Sequence, residues 1–320
     1  MCFAGFRGMS LSPYVRIVAR GKGRARCFTV EEAHAAMTLM LSGDAAPEAI
    51  GAILMVLRLR GETDAEIAGF TQALRDAVAT RLPKADLDWP CYAAGRTRGA
   101  PLFLLAARLV ANAGVRVSMH GWNSHQSGQA DFRSALAALD LEGDGLRYDG
   151  LEDLSPEAFA LLRLRDVFGL RSCVNTVLRM WNPSAAGASV QGVFHPSYRG
   201  LQSRAAQLLG DTSLTVIKGG GGEFERNPSK DIAVFGLRDG ADLNETAPAL
   251  VSSPQKLATP DEPVDIKGLW RGLVDDPFAE STVLGTAALA LWTVGRADTL
   301  PQAQDMARAL WLDRPAAKGA

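Results

Sequence analysis

Cysteine is scarce in this chain: four in 320 residues, at Cys2, Cys27, Cys91 and Cys173. No two are spaced as zinc ligands or as a redox pair, which argues against a zinc framework or a disulfide scaffold. The thiols read as small hydrophobes in a reducing, cytoplasmic setting. Long apolar runs are also missing, and the opening MCFAGFRGMSLSPY is too polar for a secretory core, so no membrane partner is expected. Neither sign of charge dominates: 34 basic and 35 acidic residues give a net charge of -1, so attraction for a polyanion has to be local. Only four histidines occur, and His120 and His125 have no third ligand at zinc spacing. No internal repeat or low-complexity tract is present. What remains is 47% hydrophobic and 22% charged, the composition of a globular protein with a sizeable core, and long enough for two domains.

A local absence follows. Residues 1–30 contain no acid, yet carry Arg7, Arg16, Arg20, Lys22, Arg24 and Arg26. The glycines of ARGKGRAR suggest a mobile basic connection rather than a rigid helix, either a solvated arm or one that contacts phosphates. Thr29 with Glu32 has capping-box spacing and opens a helix; a second runs over about 47–60, and Thr63 with Glu66 opens a third. Residues 81–90, RLPKADLDWP, read as a hinge. After it the period changes. CYAAGRTRGAPLFLLAARLVANAGVRVSMHG reads as strand, loop, helix, strand, a parallel crossover unit. Ser155 caps another helical stretch to Trp181, which is expected to return to the helical part. Short strands are expected at 214–217 and 234–237, an acidic loop-rich stretch at 239–265, and two apolar helices over 282–312 split near Gly295. The fold class is therefore α/β: an N-terminal α-helical domain over 1–80 with a basic arm, plus a larger α/β domain over 81–320 with a mostly parallel central sheet, helices at about 155–182 rejoining the helical domain.

Loops after parallel strands are the natural ligand positions of such a sheet. Three carry candidate chemistry. The first, AAGRTRGAP, has Gly95 and Gly99 for bare backbone, but Arg96 and Arg98 add bulk and charge that either fork onto phosphates or fill the cradle. The second, MHGWNSHQSGQAD, holds His120 and an anion-friendly Ser127-Gly128 ahead of a helix. The third, IKGGGGEFERNP, places four glycines after a strand, where they weaken packing but admit close ligand approach; Glu223 and Glu225 have the chemistry to hold Mg²⁺.

These loops, in this order, resemble the anthranilate phosphoribosyltransferase family, grouped with nucleoside phosphorylases in glycosyl transferase family 3. The resemblance extends to LMLSGDAAPEAIGAILMVLRLRGETDAEIAGF, RSCVNTVLRMWNP and VFHPSY. It implies a homodimer, phosphoribosyl pyrophosphate with Mg²⁺ at the first loop, and an aromatic acceptor. By matching, Gly95 stands at the first glycine of the diphosphate loop, with Thr97 within it. His120 and Gly121 fall in the acceptor-side motif with Asn123 nearby, Arg171 at the acceptor-binding arginine, and Glu223 at the second metal carboxylate.

Departures from the pattern are several. The diphosphate loop reads Gly95-Arg96-Thr97-Arg98-Gly99 instead of Gly-Thr-Gly-Gly-Asp, Met119 replaces a lysine, Trp122 an asparagine, and Gly222 the first metal carboxylate. Each lost charge-assisted hydrogen bond is worth about 1.5–3 kcal/mol, so the combined loss is large. The pattern is similar to a non-biosynthetic, YbiB-like branch that includes DNA-binding homodimers. On that resemblance the expected function is sequence-nonspecific binding of single- or double-stranded nucleic acid by a homodimer. Arg16, Arg20, Lys22, Arg24, Arg26, Arg96, Arg98, Arg163, Arg165 and Arg179 are the candidate phosphate contacts, and no cofactor is then required. The alternative is a glycosyl or phosphoribosyl transferase with an altered donor or acceptor, Mg²⁺ as its cofactor, and Arg171 and Glu223 in the roles just given.

Overall fold

The computed structural model describes residues 10–21, 23–78, 82–92, 99–122, 132–143, 145–257 and 264–314. The chain divides into two compact units, Met1–Leu82 with Leu151–Pro183, and Pro83–Gly150 with Ser184–Ala320.

The first unit is helical: α1 (Ser12–Ala19), α2 (Val30–Leu41), α3 (Pro47–Arg60), α4 (Asp64–Val78), then α7 (Leu151–Leu154), α8 (Pro156–Phe168) and α9 (Val174–Arg179). Its helix starts are chemically marked. Thr29 and Glu32 form a complete capping box on α2. Thr63 and Glu66 do the same for α4, with Glu66 N donating to Thr63 Oγ1 at 3.2 Å and Thr63 N to Glu66 Oε2 at 2.9 Å. Glu66 is fully buried and also accepts from Phe28 N (2.9 Å) and Arg60 Nη2 (2.5 Å), which gives an ionised carboxylate in the core the partners it needs. Ser155 Oγ caps α8 by accepting from Ala158 N at 3.2 Å. Arg75 of α4 donates to the carbonyls of Met180 (2.8 Å) and Trp181 (3.1 Å), satisfying the C-terminal end of α9. Within the segment expected to be an arm, residues 12–19 form α1. The break comes afterwards, at Gly21 and Gly23, whose φ values of +76° and +83° are those of turn glycines.

The second unit is built on a seven-stranded sheet ordered β3-β2-β1-β4-β5-β6-β7: β1 (Leu87–Cys91), β2 (Val117–Gly121), β3 (Leu146–Gly150), β4 (Ala188–Val193), β5 (Leu214–Lys218), β6 (Ile232–Arg238) and β7 (Ala241–Ala247). The first five pair in parallel; β6 and β7 run antiparallel. Helices α5 (Phe103–Asn112), α6 (Phe132–Leu139), α10 (Tyr198–Leu208), α11 (Ile266–Arg271), α12 (Pro277–Thr293) and α13 (Leu300–Leu312) complete it. α12 is apolar on every side, PFAESTVLGTAALALWT, and is buried from Thr282 to Thr293, which makes it the central helix against β4, β5, α5 and α13. Among the described residues, no helix is long and apolar enough to cross a membrane.

The strand order fixes where a ligand belongs. From β1 the chain winds outward through β2 to β3, and from β4 the opposite way through β5. The C-terminal ends of β1 and β4 therefore flank a topological switch point.

Candidate functional site

At that end β1 finishes at Cys91 and β2 at Gly121, paired in register. Trp122 N donates to Cys91 O at 3.1 Å. A Cβ on Gly121 would lie 1.6 Å from Cys91 O, so only glycine permits this approach of the two strand exits. Behind it lies a line of buried polar groups across three strands. Gln191 Nε2 donates to Ser189 Oγ (3.3 Å), Ser189 Oγ donates to Asp88 Oδ2 (3.0 Å), and Asp88 Oδ1 faces His120 Nε2 at 3.2 Å, an electrostatic contact rather than an aligned hydrogen bond. His120 Nδ1 is 2.9 Å from Tyr92 Oη. The Asp88 carboxylate faces one ring nitrogen and the Tyr92 hydroxyl the other, so both sides of the imidazole are held. His120 is thus locked in orientation within the sheet, with no surface exposed.

The glycine-rich turn after β5 is the second component. Gly220–Gly222 form one 3-10 turn, with Gly221 at φ +62° and Gly222 at φ +94°. Glu223 follows, 1% exposed. Its backbone is clamped: a Cβ on Gly219 would fall 1.6 Å from Glu223 O, and one on Gly192, in β4, 2.1 Å from Glu223 C. Phe224 enters the core edge-on to Trp89 at 5.4 Å. Glu225 Oε2 accepts from Phe103 N at 3.0 Å, capping α5, whose own preceding residue Leu102 supplies no side-chain cap. Arg226 N donates to Thr286 Oγ1 of α12 at 2.9 Å, and burial pulls the Arg226 guanidinium down to about 10.

A family Mg²⁺ site needs more carboxylates than this turn supplies. Gly222 has no side chain, its backbone lies in the left-handed region that disfavours a replacement, and Glu225 is engaged on α5. Among the described residues no group of three His, Cys, Asp or Glu side chains is placed to hold a metal. The residues therefore do not fit a protein-held pair of carboxylates; Glu223 is the remaining candidate.

In the helical unit Arg171 is half-buried, and its pKa is lowered, first by burial and then by the like charge of Arg58. Arg165 is buried and lowered by burial and by Arg171. Arg171 thus lies beside the like charges of Arg58 and Arg165, with Asp166 opposing that effect at Arg165, an arrangement that favours an incoming carboxylate.

The other arginines that are described differ in exposure and pairing. Arg16, Arg20 and Arg24 are exposed. Arg26 forks onto Glu32 with both bonds at 2.6 Å, and Arg163 pairs with Asp166 at 2.6 Å. Arg179 is buried and donates to Asn175 O at 3.3 Å. Lys22, Gly95, Arg96, Thr97, Arg98, Asn123 and Ser127 lie outside the described residues. Sequence reasoning did not find the Asp88–His120–Tyr92 line, the Glu225 cap, or Arg58 and Arg165 beside Arg171. The available signal was polar Asp88, Ser118 and Ser189 at buried strand positions.

Comparison with known proteins agrees with this geometry. The helical bundle domain of the glycosyl transferase family matches residues 13–78. The anthranilate phosphoribosyltransferase of Halorubrum lacusprofundi is 31% identical over 296 residues, covering 85% of this chain and 81% of that protein. The chain belongs to the anthranilate phosphoribosyltransferase family. The family enzyme of Geobacillus kaustophilus is 28% identical over 91% of this chain and 92% of its own length. In fold, the chain is similar to the crystal structure of anthranilate phosphoribosyltransferase from Thermus thermophilus, with a TM-score of 0.74, 24% identity and coverage of 89% and 92% of the two chains. It also resembles the Saccharomyces cerevisiae enzyme in complex with PRPP and Mg, with a TM-score of 0.68, 14% identity and 94% and 93% coverage. The expectation of a nucleic-acid-binding homodimer is corrected by these findings: the relatives carry the name of a phosphoribosyltransferase, and none of this supports nucleic acid or a second copy as partner. Among the described residues the physical reason is visible in part: Arg165 and Arg179 are buried, and Arg26 and Arg163 are paired with carboxylates.

Proposed function

We propose that the protein is a glycosyl or phosphoribosyl transferase of this family with an altered donor or acceptor, in a non-biosynthetic branch. The observation that carries the reading is the buried Glu223 carboxylate, kept on a glycine turn clamped at the C-terminal end of β5, while its neighbour Gly222 offers none. A turn so constrained keeps a donor-side geometry; the missing carboxylate points to a leaving group that needs less counter-charge than a doubly metallated diphosphate. In the transfer, the anomeric carbon–oxygen bond to the leaving group breaks, the bond to the acceptor forms, and the acceptor loses a proton. Arg171, with Arg58 and Arg165, attracts an acceptor carboxylate. His120, held by Asp88 and Tyr92, fixes the exit of β2. Any Mg²⁺ would have to arrive with a phosphorylated donor, since Glu223 is the one carboxylate this turn could offer it. The free thiols Cys27, Cys91 and Cys173 suit a cytoplasmic enzyme.

The test is calorimetry with phosphoribosyl pyrophosphate and with ribose 1-phosphate, each with and without MgCl₂, followed by product analysis with anthranilate and other aromatic carboxylates. Expected is saturable donor binding that Glu223→Gln weakens at least tenfold, the scale of one charged contact. Silence with both donors, together with no sugar-transfer product, sinks the reading.

A further inference from the structure

The opposite end of the same sheet holds a cavity of about 590 Å³, within the size range of small-ligand sites. It lies where β1, β2, β4 and β5 begin, roughly 15 Å along five-residue strands from Gly121. Nothing in the transferase reading uses it.

Its lining is cationic: Lys84, Arg116, Arg238 and Arg296 stand against Asp86 and Asp239. Arg116 neutralises Asp86 completely, with Nε to Oδ2 at 3.1 Å, Nη2 to Oδ1 at 2.5 Å and its backbone N to Oδ2 at 2.9 Å. Asp239 offsets one of the remaining charges, so Lys84, Arg238 and Arg296 leave the lining with a net excess of two positive charges. Arg238 is held rigid: it donates to Trp292 O at 3.1 Å and Asp298 O at 3.3 Å, and its guanidinium carbon is 4.8 Å from the Trp292 ring centroid. Arg296 is anchored by one bond, Nη2 to Gly114 O at 2.9 Å, which leaves its other donors for a ligand. Lys84 is exposed and has no hydrogen-bond or ion-pair partner among the described residues. Two glycines keep the space open. A Cβ on Gly187 or Gly295 would meet nothing within 4 Å.

We propose that this cavity is a second ligand site, for a small phosphorylated dianion, at the N-terminal edge of the sheet. Three cations on three separate segments suit a tetrahedral dianion, which offers oxygens in several directions; a planar carboxylate satisfies one fork. Because the site is built on strands that carry Gly121 and Glu223 at their far ends, its occupant is an effector or a product rather than the transferred group.

The experiment titrates the full-length protein with inorganic phosphate and, separately, with citrate, followed by amide NMR at Gly187, Gly295 and Gly121. Phosphate is expected to move Gly187 and Gly295 saturably. The double variant Lys84→Glu with Arg296→Glu is expected to weaken that response more than tenfold. Gly187→Leu adds bulk to the lining without strain, because position 187 lacks a left-handed backbone and its Cβ meets open space; it is expected to weaken the response while the thermal midpoint stays within a few degrees. No saturable shift at Gly187 and Gly295 in tens of millimolar phosphate, undiminished binding in both variants, or a preference for citrate overturns the proposal. The readout sits at the opposite strand ends from Glu223, so its failure and that of the transferase reading are separable.

Discussion

The two ends of the central sheet are made by the same strands and differ in how the backbone is spent. Where β1, β2 and β4 finish, chain runs against chain: Gly121 against Cys91, and Gly192 and Gly219 against Glu223, all closer than any side chain tolerates. Where the strands begin, Gly187 faces open space and the neighbouring groups are four cations and two carboxylates on separate segments. The lesson is that glycine has two uses here. At Gly121, Gly192 and Gly219, and again at Gly236 against Leu214, it permits contact inside the protein; at Gly187 and Gly295 it borders open space.

The largest expected effect tests this contrast directly. Gly121→Ala should cost about 3 kcal/mol or more, the upper range for overpacking against fixed backbone, whereas Gly187→Ala should stay within about 0.5 kcal/mol. Urea midpoints for the pair measure the difference, and similar values would break the comparison. A middle-sized effect belongs to Glu225→Ala. It strips the acceptor from Phe103 N and should cost about 1–2 kcal/mol, with faster hydrogen exchange at the start of α5; Glu225→Gln, which keeps an acceptor oxygen, should recover part of it. The smallest sits at the open end. Hydrogen bonds from Arg116, and to a lesser degree the charge of Arg296, lower Asp86 from 3.8 to about 2. A depressed carboxylate contributes stability present above its unfolded pKa and lost as pH falls from about 4 through about 2. With a side chain 34% exposed, solvent screening holds that contribution below about 1 kcal/mol. Carbon-13 titration should show the Asp86 midpoint rising toward 3.8 in Arg116→Ala, with a flatter acid limb of stability.

How much of this was legible in the sequence depended on whether a signal was local. Thr29 with Glu32, Thr63 with Glu66, and Ser155 announce their helices because cap and capped amide are three residues apart. The crossover from β1 through α5 to β2 was readable from its change of period. α1 was missed because Leu11 provides no side-chain cap and the arginines around it suggested a solvated arm. β7 was read as acidic loop because ADLNETA is exposed at five of seven positions, as suits an edge strand whose charges discourage further pairing. β3 was missed in LRYDG, half-buried at the other edge. At the candidate site the glycine turn and Glu223 stood out, but Glu225 looked like a metal ligand. Its partner is the amide that opens α5, 122 residues away, and no spacing rule connects the two. The Asp88–His120–Tyr92 line was hidden for the same reason, since its members meet only after β1 and β2 pair. Arginine clustering misled in the other direction: composition counts charges but not the burial or carboxylates that spend them.

The Glu225–Phe103 bond has a consequence for synthesis. Its two halves are 122 residues apart, so at about 5–20 residues per second the first turn of that helix leaves the ribosome on the order of ten seconds before the carboxylate that completes it. Until then the nascent crossover unit has a frayed helix start and an unfinished sheet beside it, the period when a chaperone would find most to hold.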